Sequence, residues 1–357
     1  MQYAFNNAAV DIFCGIGGLT HGLQMSGINV VAGIDNDESC RYAYEENNNS
    51  IFINEDVSCI VDTFVKNLYP EKSIKILVGC APCQPFSKYS QRYRKEGVKD
   101  KKWYLLDSFL RLILGFYPEV ISMENVPEIS NVKIFTKFVN ILIEHKYNVS
   151  WKIVYCPEYG IPQSRRRLVL LASRLGSITL INPYCTRDRY PTVRDAIGNF
   201  NPLKDGEFDP NDKFHCCSKL TLQNLERIKN SIPNGTWRDW DSSLQLKCHK
   251  KQSGSTYSSV YGRMSWDSPS PTITTQFFGY GNGRFGHPVQ NRALSLREGA
   301  TLQSFPRDYK FFADDDKISF KKAGLHIGNA VPVKLGLAIG DSIIRHLKEI
   351  YYGQNGK

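Results

Sequence analysis

Cys83 stands in Ala81-Pro-Cys-Gln-Pro-Phe-Ser87, a thiol between two prolines. Proline fixes its own backbone and pushes the residue before it out of the helical region, so this stretch is stiff and extended. An apolar run, Ile74 to Val78, leads into it. That order presents one sulfur beyond the carboxyl end of a strand, where open α/β folds hold their ligands. Such a thiol can serve as a covalent nucleophile, although most intracellular cysteines are small buried apolar residues. Glu124, in Ser122-Met-Glu-Asn-Val-Pro127, closes another apolar run and supplies a carboxyl group suited to proton donation beside the thiol. Gln163-Ser-Arg-Arg-Arg167 enters a further apolar run, and the alternation of a strand turns Arg165 and Arg167 the same way.

A second set of residues has the chemistry of a nucleoside site. Asp11-Ile-Phe-Cys-Gly15-Ile-Gly17-Gly18 follows the first apolar run and opens a helical pattern. Gly15, Gly17 and Gly18 let backbone approach a ligand closely, at a helix amino terminus. The dinucleotide pattern Gly-x-Gly-x-x-Gly is not met, because Thr20 stands where its third glycine belongs. Asp35 ends the second run and can accept hydrogen bonds from both ribose hydroxyls. Asp56 follows a third short run and is placed to accept from an adenine amine, and Phe13 to face the adenine ring. Their order along one α/β half points to an adenosine-bearing cofactor.

The elements that must position these residues follow from periodicity. Apolar runs at 8–13, 28–34, 74–78, 120–123, 152–155 and 168–172 alternate with helical patterns such as Leu105, Leu106, Phe109, Leu112 and Ile113. This alternation predicts an α/β fold: a mostly parallel sheet covered by helices. From about Gly176 the chain turns rich in Asn, Ser, Gly, Pro, Thr and aromatics, which predicts a second, smaller, loop-rich domain. The expected divisions are 1–178, 179–324 and 325–357. In the last, Leu335, Ile339, Ile343 and Leu347 predict a helix packed back on the sheet of the first domain.

The chain has 357 residues and a formal charge of +10, an excess that favours a polyanionic partner. No stretch reads as a transmembrane helix, and the amino terminus lacks a signal-peptide pattern, so no membrane and a cytoplasmic location are expected. The ten cysteines are scattered, which suits reduced thiols rather than a disulfide scaffold. His215, Cys216, Cys217, Cys248 and His249 lack Cys-x-x-Cys spacing, so no metal is expected.

Six segments in order, Asp11–Gly18, Ala81–Ser87, Glu124–Val126, Gln163–Arg167, Arg297–Pro306 and Gly328–Val331, resemble the motif series of DNA (cytosine-5) methyltransferases of the prokaryotic restriction-modification type. The resemblance spans nearly the whole chain. It implies a Rossmann-like sheet that binds S-adenosylmethionine, with S-adenosylhomocysteine as product, and a target-recognition role for the second domain. It implies Cys83 as the thiolate that adds to carbon 6 of a flipped-out cytosine. Glu124 would hold or protonate ring nitrogen 3, Arg165 would neutralise the oxygen on carbon 2, and Arg167 would support the site. The two arginines could exchange these roles. Phe13, Gly15, Gly17, Gly18, Asp35, Asp56, Val57, Asn329 and Ala330 are the implied cofactor contacts. Asp35 replaces a frequent glutamate and keeps the carboxylate. Asn36 replaces a frequent aromatic or apolar neighbour, and with it one stacking contact.

The partner implied is double-stranded DNA, with a cognate restriction endonuclease acting separately and a monomer sufficient to build the site. Ser87, Lys88, Arg92, Arg94 and Lys95 follow the thiol and read as phosphate contacts on a lid hinged at Gly97. Gln252–Tyr257 and Thr274–Gly279 are candidate base readers. Three other readings compete. The tRNA-modifying branch of the family usually carries a Cys-Phe-Thr signature that this chain lacks. A catalytically silent DNA-binding relative is disfavoured by the intact Cys83, Glu124 and Arg165. A nicotinamide dehydrogenase is disfavoured by the glycine pattern.

Overall fold

The computed structural model describes residues 6–81, 104–251, 258–313 and 315–353. Cys83, the basic run after it and Gln252–Tyr257 lie outside the described residues. Two compact units divide the chain: 1–155, 166–184 and 331–357 form the first, and 156–165 with 185–330 the second.

In the first unit the order is β1 (Asn7–Ile12), α1 (Gly18–Met25), β2 (Val30–Asp35), α2 (Arg41–Asn47), β3 (Ile51–Asn54), α3 (Asp62–Asn67), β4 (Ile74–Gly79), α4 (Tyr104–Phe116), β5 (Val120–Asn125), α5 (Lys133–Glu144) and β6 (Asn148–Tyr155). The short β7 (Gln163–Ser164) belongs to the second unit, and β8 (Arg166–Ser173) returns to the first. Seven strands form one sheet in the order β3-β2-β1-β4-β5-β8-β6. The pairings from β3 through β5 are parallel, whereas β8 runs antiparallel to both β5 and β6. The strand–helix alternation in the sequence is therefore realised as a mostly parallel α/β sheet. β1 and β5 are buried along their whole length, including Asp11 of β1 and Glu124 and Asn125 of β5. Leu106, Phe109, Leu112, Ile113 and Phe116 of α4 are buried in the core with Leu77 and Ile121 of the sheet, each worth about 1.5–3 kcal/mol.

Two consequences place the chemistry. The strand order reverses between β1 and β4, so the crevice at their carboxyl ends is the topological switch point. Because β8 runs backwards, its first residues lie at the same edge as the ends of β4 and β5.

In the second unit, α6 (Val193–Ile197), β9 (Phe208–Asp209), β10 (Asp212–Cys216), α7 (Leu222–Lys229), β11 (Ser270–Pro271), α8 (Leu296–Leu302) and α9 (Phe320–Asn329) are short elements joined by long loops. α8 is tied by a capping box between Ser295 and Glu298. Glu298 is fully buried and takes both terminal nitrogens of Arg292, at 2.7 and 2.8 Å. Arg297 donates to Asp212 at 2.7 Å and to the Tyr309 carbonyl at 2.7 Å. The Arg297–Pro306 segment thus organises this unit. In the Thr274–Gly279 segment Phe277 is buried and packs over Gly299, while Thr274 and Gln276 are exposed.

α10 (Val333–Gly353) closes the first unit. It packs closely along α1. The approach is so close that a Cβ on Gly22 would lie 2.3 Å from the Val333 carbonyl oxygen. Farther along, His346 bonds the Ser173 hydroxyl at the end of β8. Phe320–Gly353 is long and apolar enough by composition to cross a membrane, against expectation; 72% of that apolar window is buried inside the protein, as in a core helix.

Candidate active site

β1 ends at Ile12, and the chain turns sharply through Phe13 (φ 63°), Gly15 (φ 51°) and Gly17 (φ 85°) into α1. A positive φ at a phenylalanine costs about 1–3 kcal/mol, which the surrounding contacts must offset. The amides of Phe13 and Cys14 both donate to the Ile34 carbonyl, which locks the turn to the end of β2. Gly15 N–H donates to Asp35 Oδ2 and Asp37 N–H to Asp35 Oδ1, both at 2.9 Å. A carboxylate offers about four lone-pair sites, so Asp35 keeps acceptor capacity for a ligand hydroxyl. Burial pushes the Asp35 carboxyl up, and the amides of Asp37 and Gly15 oppose that rise. Beside Gly15 no atom of the described residues lies within 4 Å of where a Cβ would stand. Gly17 and Gly18 are buried at the start of α1.

Asp56 is half-buried and accepts from the Ser58 amide and hydroxyl at 2.8 and 2.7 Å. Val57 is buried, and Arg111 donates to its carbonyl at 3.0 Å. Asn329 and Ala330 lie in the second unit, Asn329 exposed at the end of α9 and Ala330 half-buried just beyond it.

Asp11 opens the glycine motif, and its environment is unusual. It is 1% exposed, and Thr20 Oγ1 donates to its Oδ2 at 2.7 Å. Its Oδ1 is buried and has no hydrogen-bond partner among the described residues. Burial pushes this carboxyl up to about 7, Thr20 opposes the rise, and the Asp35 charge adds to it. The open space at Gly15, the lone pairs of Asp35 and the unmatched Asp11 oxygen together make a cradle that fits the polar groups of an adenosine-bearing cofactor.

Glu124 sits one residue from the end of β5 and is 3% exposed. In the β5–β8 register Glu124 faces Val169, so Arg167 is its diagonal neighbour on the same face. Arg167, 15% exposed, brings Nε to 2.9 Å from Glu124 Oε1. This contact is an ion pair rather than a well-aligned hydrogen bond. On the other side, Cys80 Sγ donates to Glu124 Oε2 at 2.8 Å. Asn125 donates to the Ala81 carbonyl at 3.1 Å, which fixes the backbone where the Cys83 segment departs.

Arg165 belongs to the second unit, where it is 3% exposed. Its guanidinium donates to Gln163 Oε1 at 3.4 Å, the Ile273 carbonyl at 3.2 Å and the Gly328 carbonyl at 3.4 Å. Gln163 is held in turn by Gln303 Oε1 and the Leu302 carbonyl. Within the first unit, then, Glu124 and Arg167 are brought together at one sheet edge with the Asp11, Gly15 and Asp35 turn. Cys83 and the phosphate-contact candidates Ser87, Lys88, Arg92, Arg94 and Lys95 lie outside the described residues. The sequence reading missed Cys80. Its only signal was position, two residues past an apolar run and three before Cys83.

A family profile described as C-5 cytosine-specific DNA methylase matches residues 8–345. Among curated proteins, the Type II methylase M.HgiDII of Herpetosiphon aurantiacus is 51% identical, over 97% of this chain and 98% of that one. The Type II methyltransferase M1.BsuMI of Bacillus subtilis is 31% identical, over 91% of this chain and 77% of that one. Among solved structures, an E. coli prophage-encoded chain described as a DNA modification methyltransferase superposes with a TM-score of 0.74 at 20% identity. That likeness covers 96% of this chain and 100% of the other, and concerns the fold.

Proposed function

The chain belongs to the C-5 cytosine-specific DNA methylase family, and from that premise we propose that it methylates carbon 5 of a cytosine within a specific double-stranded DNA sequence, as the protective methylase of a restriction-modification system. The observation that carries the reading is the buried Glu124 carboxylate, held by Arg167 at the sheet edge where β4 runs toward Cys83. The cytosine ring is a poor nucleophile at carbon 5. Addition of the Cys83 thiolate to carbon 6 makes the ring an enamine, which is nucleophilic at carbon 5. Glu124 would hold or protonate ring nitrogen 3 and accept from the exocyclic amine, and Arg165 would neutralise the oxygen on carbon 2. Arg167 holds Glu124 in place. Loss of the carbon-5 proton and departure of the Cys83 sulfur restore the aromatic ring.

S-adenosylmethionine, when bound, supplies an electrophilic methyl on a sulfonium, and S-adenosylhomocysteine is what remains. Asp35 would take its ribose hydroxyls, Asp56 its adenine amine and Phe13 its adenine ring. The Gly15–Gly18 turn would line it with backbone, and the free Asp11 oxygen offers one more acceptor. Val57, Asn329 and Ala330 complete the proposed contacts. No metal enters this chemistry.

A base inside the duplex cannot be reached by this thiol, so the target nucleotide must leave the stack at a cost of a few kcal/mol. Ser87, Lys88, Arg92, Arg94 and Lys95 would offset that cost through phosphate contacts, and the second unit would read the sequence. The enzyme would act as a cytoplasmic monomer, independently of a cognate endonuclease. Labelled methyl transfer to unmethylated duplex DNA and to tRNA, followed by sequencing for 5-methylcytosine, tests the proposal. Methylation of one cytosine in a fixed duplex sequence is expected. Transfer to tRNA alone would overturn it.

A further inference from the structure

Glu124 is gripped from both neighbouring strands, and one grip is a thiol that the ordered motifs leave without a role. β4 and β5 are parallel with Gly79 opposite Met123, so Cys80 stands level with Glu124. Its Sγ donates to Glu124 Oε2 at 2.8 Å, while Arg167 pairs with Oε1 from β8. The backbone of Cys80 is itself pinned. Its amide donates to the Ile12 carbonyl of β1 at 3.3 Å, and the next carbonyl, of Ala81, accepts from Asn125. The thiol therefore reaches the carboxylate from a backbone tied to both flanking strands.

We propose that Cys80 is a positioning residue for the cytosine-handling carboxylate: its thiol and Arg167, one on each oxygen, fix the rotation of the Glu124 carboxyl plane. This rests on the reading that Glu124 bonds the target base. A carboxylate tied at one oxygen turns about its terminal bond, and a turned carboxylate misses an edge-on base. A thiol suits the task because it is a weak donor. It orients Oε2 yet leaves that oxygen free to accept from the exocyclic amine through its second lone pair. Loss of the donor thus slows the chemical step more than it weakens DNA or cofactor binding.

The test compares wild type, Cys80→Ala, Cys80→Ser and Glu124→Gln by single-turnover transfer of tritiated methyl from S-adenosylmethionine to unmethylated plasmid DNA, read as label incorporated into the DNA. Steady-state constants and thermal midpoints are measured alongside. Removing one neutral hydrogen bond predicts a rate about 3- to 10-fold lower for Cys80→Ala, with KM for both substrates and the midpoint unchanged. Cys80→Ser, which keeps a donor, recovers most of the rate. A wild-type rate in Cys80→Ala with a rate lost in Glu124→Gln overturns the positioning role and leaves the function intact. A loss that Cys80→Ser does not recover, or one confined to KM or accompanied by a lower midpoint, assigns Cys80 to packing and also overturns it. A wild-type rate in Glu124→Gln removes the role of Glu124 on which this proposal rests and leaves DNA methylation standing, whereas no transfer to DNA by the wild-type protein removes the functional reading itself.

Discussion

Replacing Arg167 by alanine removes the only cation paired with Glu124 among the described contacts, and the size of the effect can be worked out. Glu124 is 3% exposed and Arg167 15%, with Nε at 2.9 Å from Oε1. Breaking a fully buried pair by deleting one partner costs about 3–5 kcal/mol. The poor alignment of this contact and the partial exposure of Arg167 reduce that to about 2–3 kcal/mol. If the pair serves the reaction, the penalty falls on the transition state, and the methyl-transfer rate drops about 30- to 150-fold. Arg167→Lys keeps the charge but loses the planar guanidinium, and falls between the two. The assay is single-turnover transfer of labelled methyl to duplex DNA, with thermal unfolding run in parallel to separate lost folding from lost chemistry. A rate within threefold of wild type, at an unchanged midpoint, would refute the claim that this ion pair shapes the active carboxylate.

Other outcomes follow from groups away from that pair. The Asp11 carboxyl rises from 3.8 to about 7 chiefly through burial, so the folded state keeps a proton that the unfolded state has lost between about pH 4 and 7. Stability should therefore fall as pH rises across that window, by on the order of 4 kcal/mol, and Asp11→Asn should flatten the fall in urea melts; a slope unchanged in the variant contradicts this. Glu298 is the opposite case: burial would push it up, but Arg292 holds it down to about 2. Its contribution is present above its unfolded value of 4.5 and lost as pH falls toward 2, and Arg292→Ala should cost about 3–5 kcal/mol, read by calorimetry. Gly22→Ala would put a Cβ 2.3 Å from the Val333 carbonyl oxygen and force α1 from α10, lowering stability by about 1–3 kcal/mol; an unchanged thermal midpoint contradicts the close approach.

The parallel strands were legible because strands buried on both faces are unbroken apolar runs, and their order with helices between them determines the α/β class. The glycine turn was legible because few residues other than glycine accept positive φ, although Phe13 does so here. What stayed hidden depends on register. That Cys80 lies level with Glu124 follows only from the β4–β5 pairing, and Arg167 reaches Glu124 only because β8 runs backwards. Strand alternation put Arg165 and Arg167 on one side, and the sequence alone could not say which of them meets Glu124. The α1–α10 contact was hidden for a similar reason. Gly22, Gly336 and Gly340 read as weak helix positions until a second helix is seen to need their missing side chains.

The most direct measurement is a covalent trap. Incubation with S-adenosylmethionine and duplex DNA carrying 5-fluorocytosine at the methylated position blocks release of the carbon-5 substituent, so the thiol cannot leave. Digestion and mass spectrometry should then find the modified pyrimidine on the Cys83 peptide, and Cys83→Ala should form no adduct. An adduct on another residue, or steady methylation by Cys83→Ala, would contradict the account.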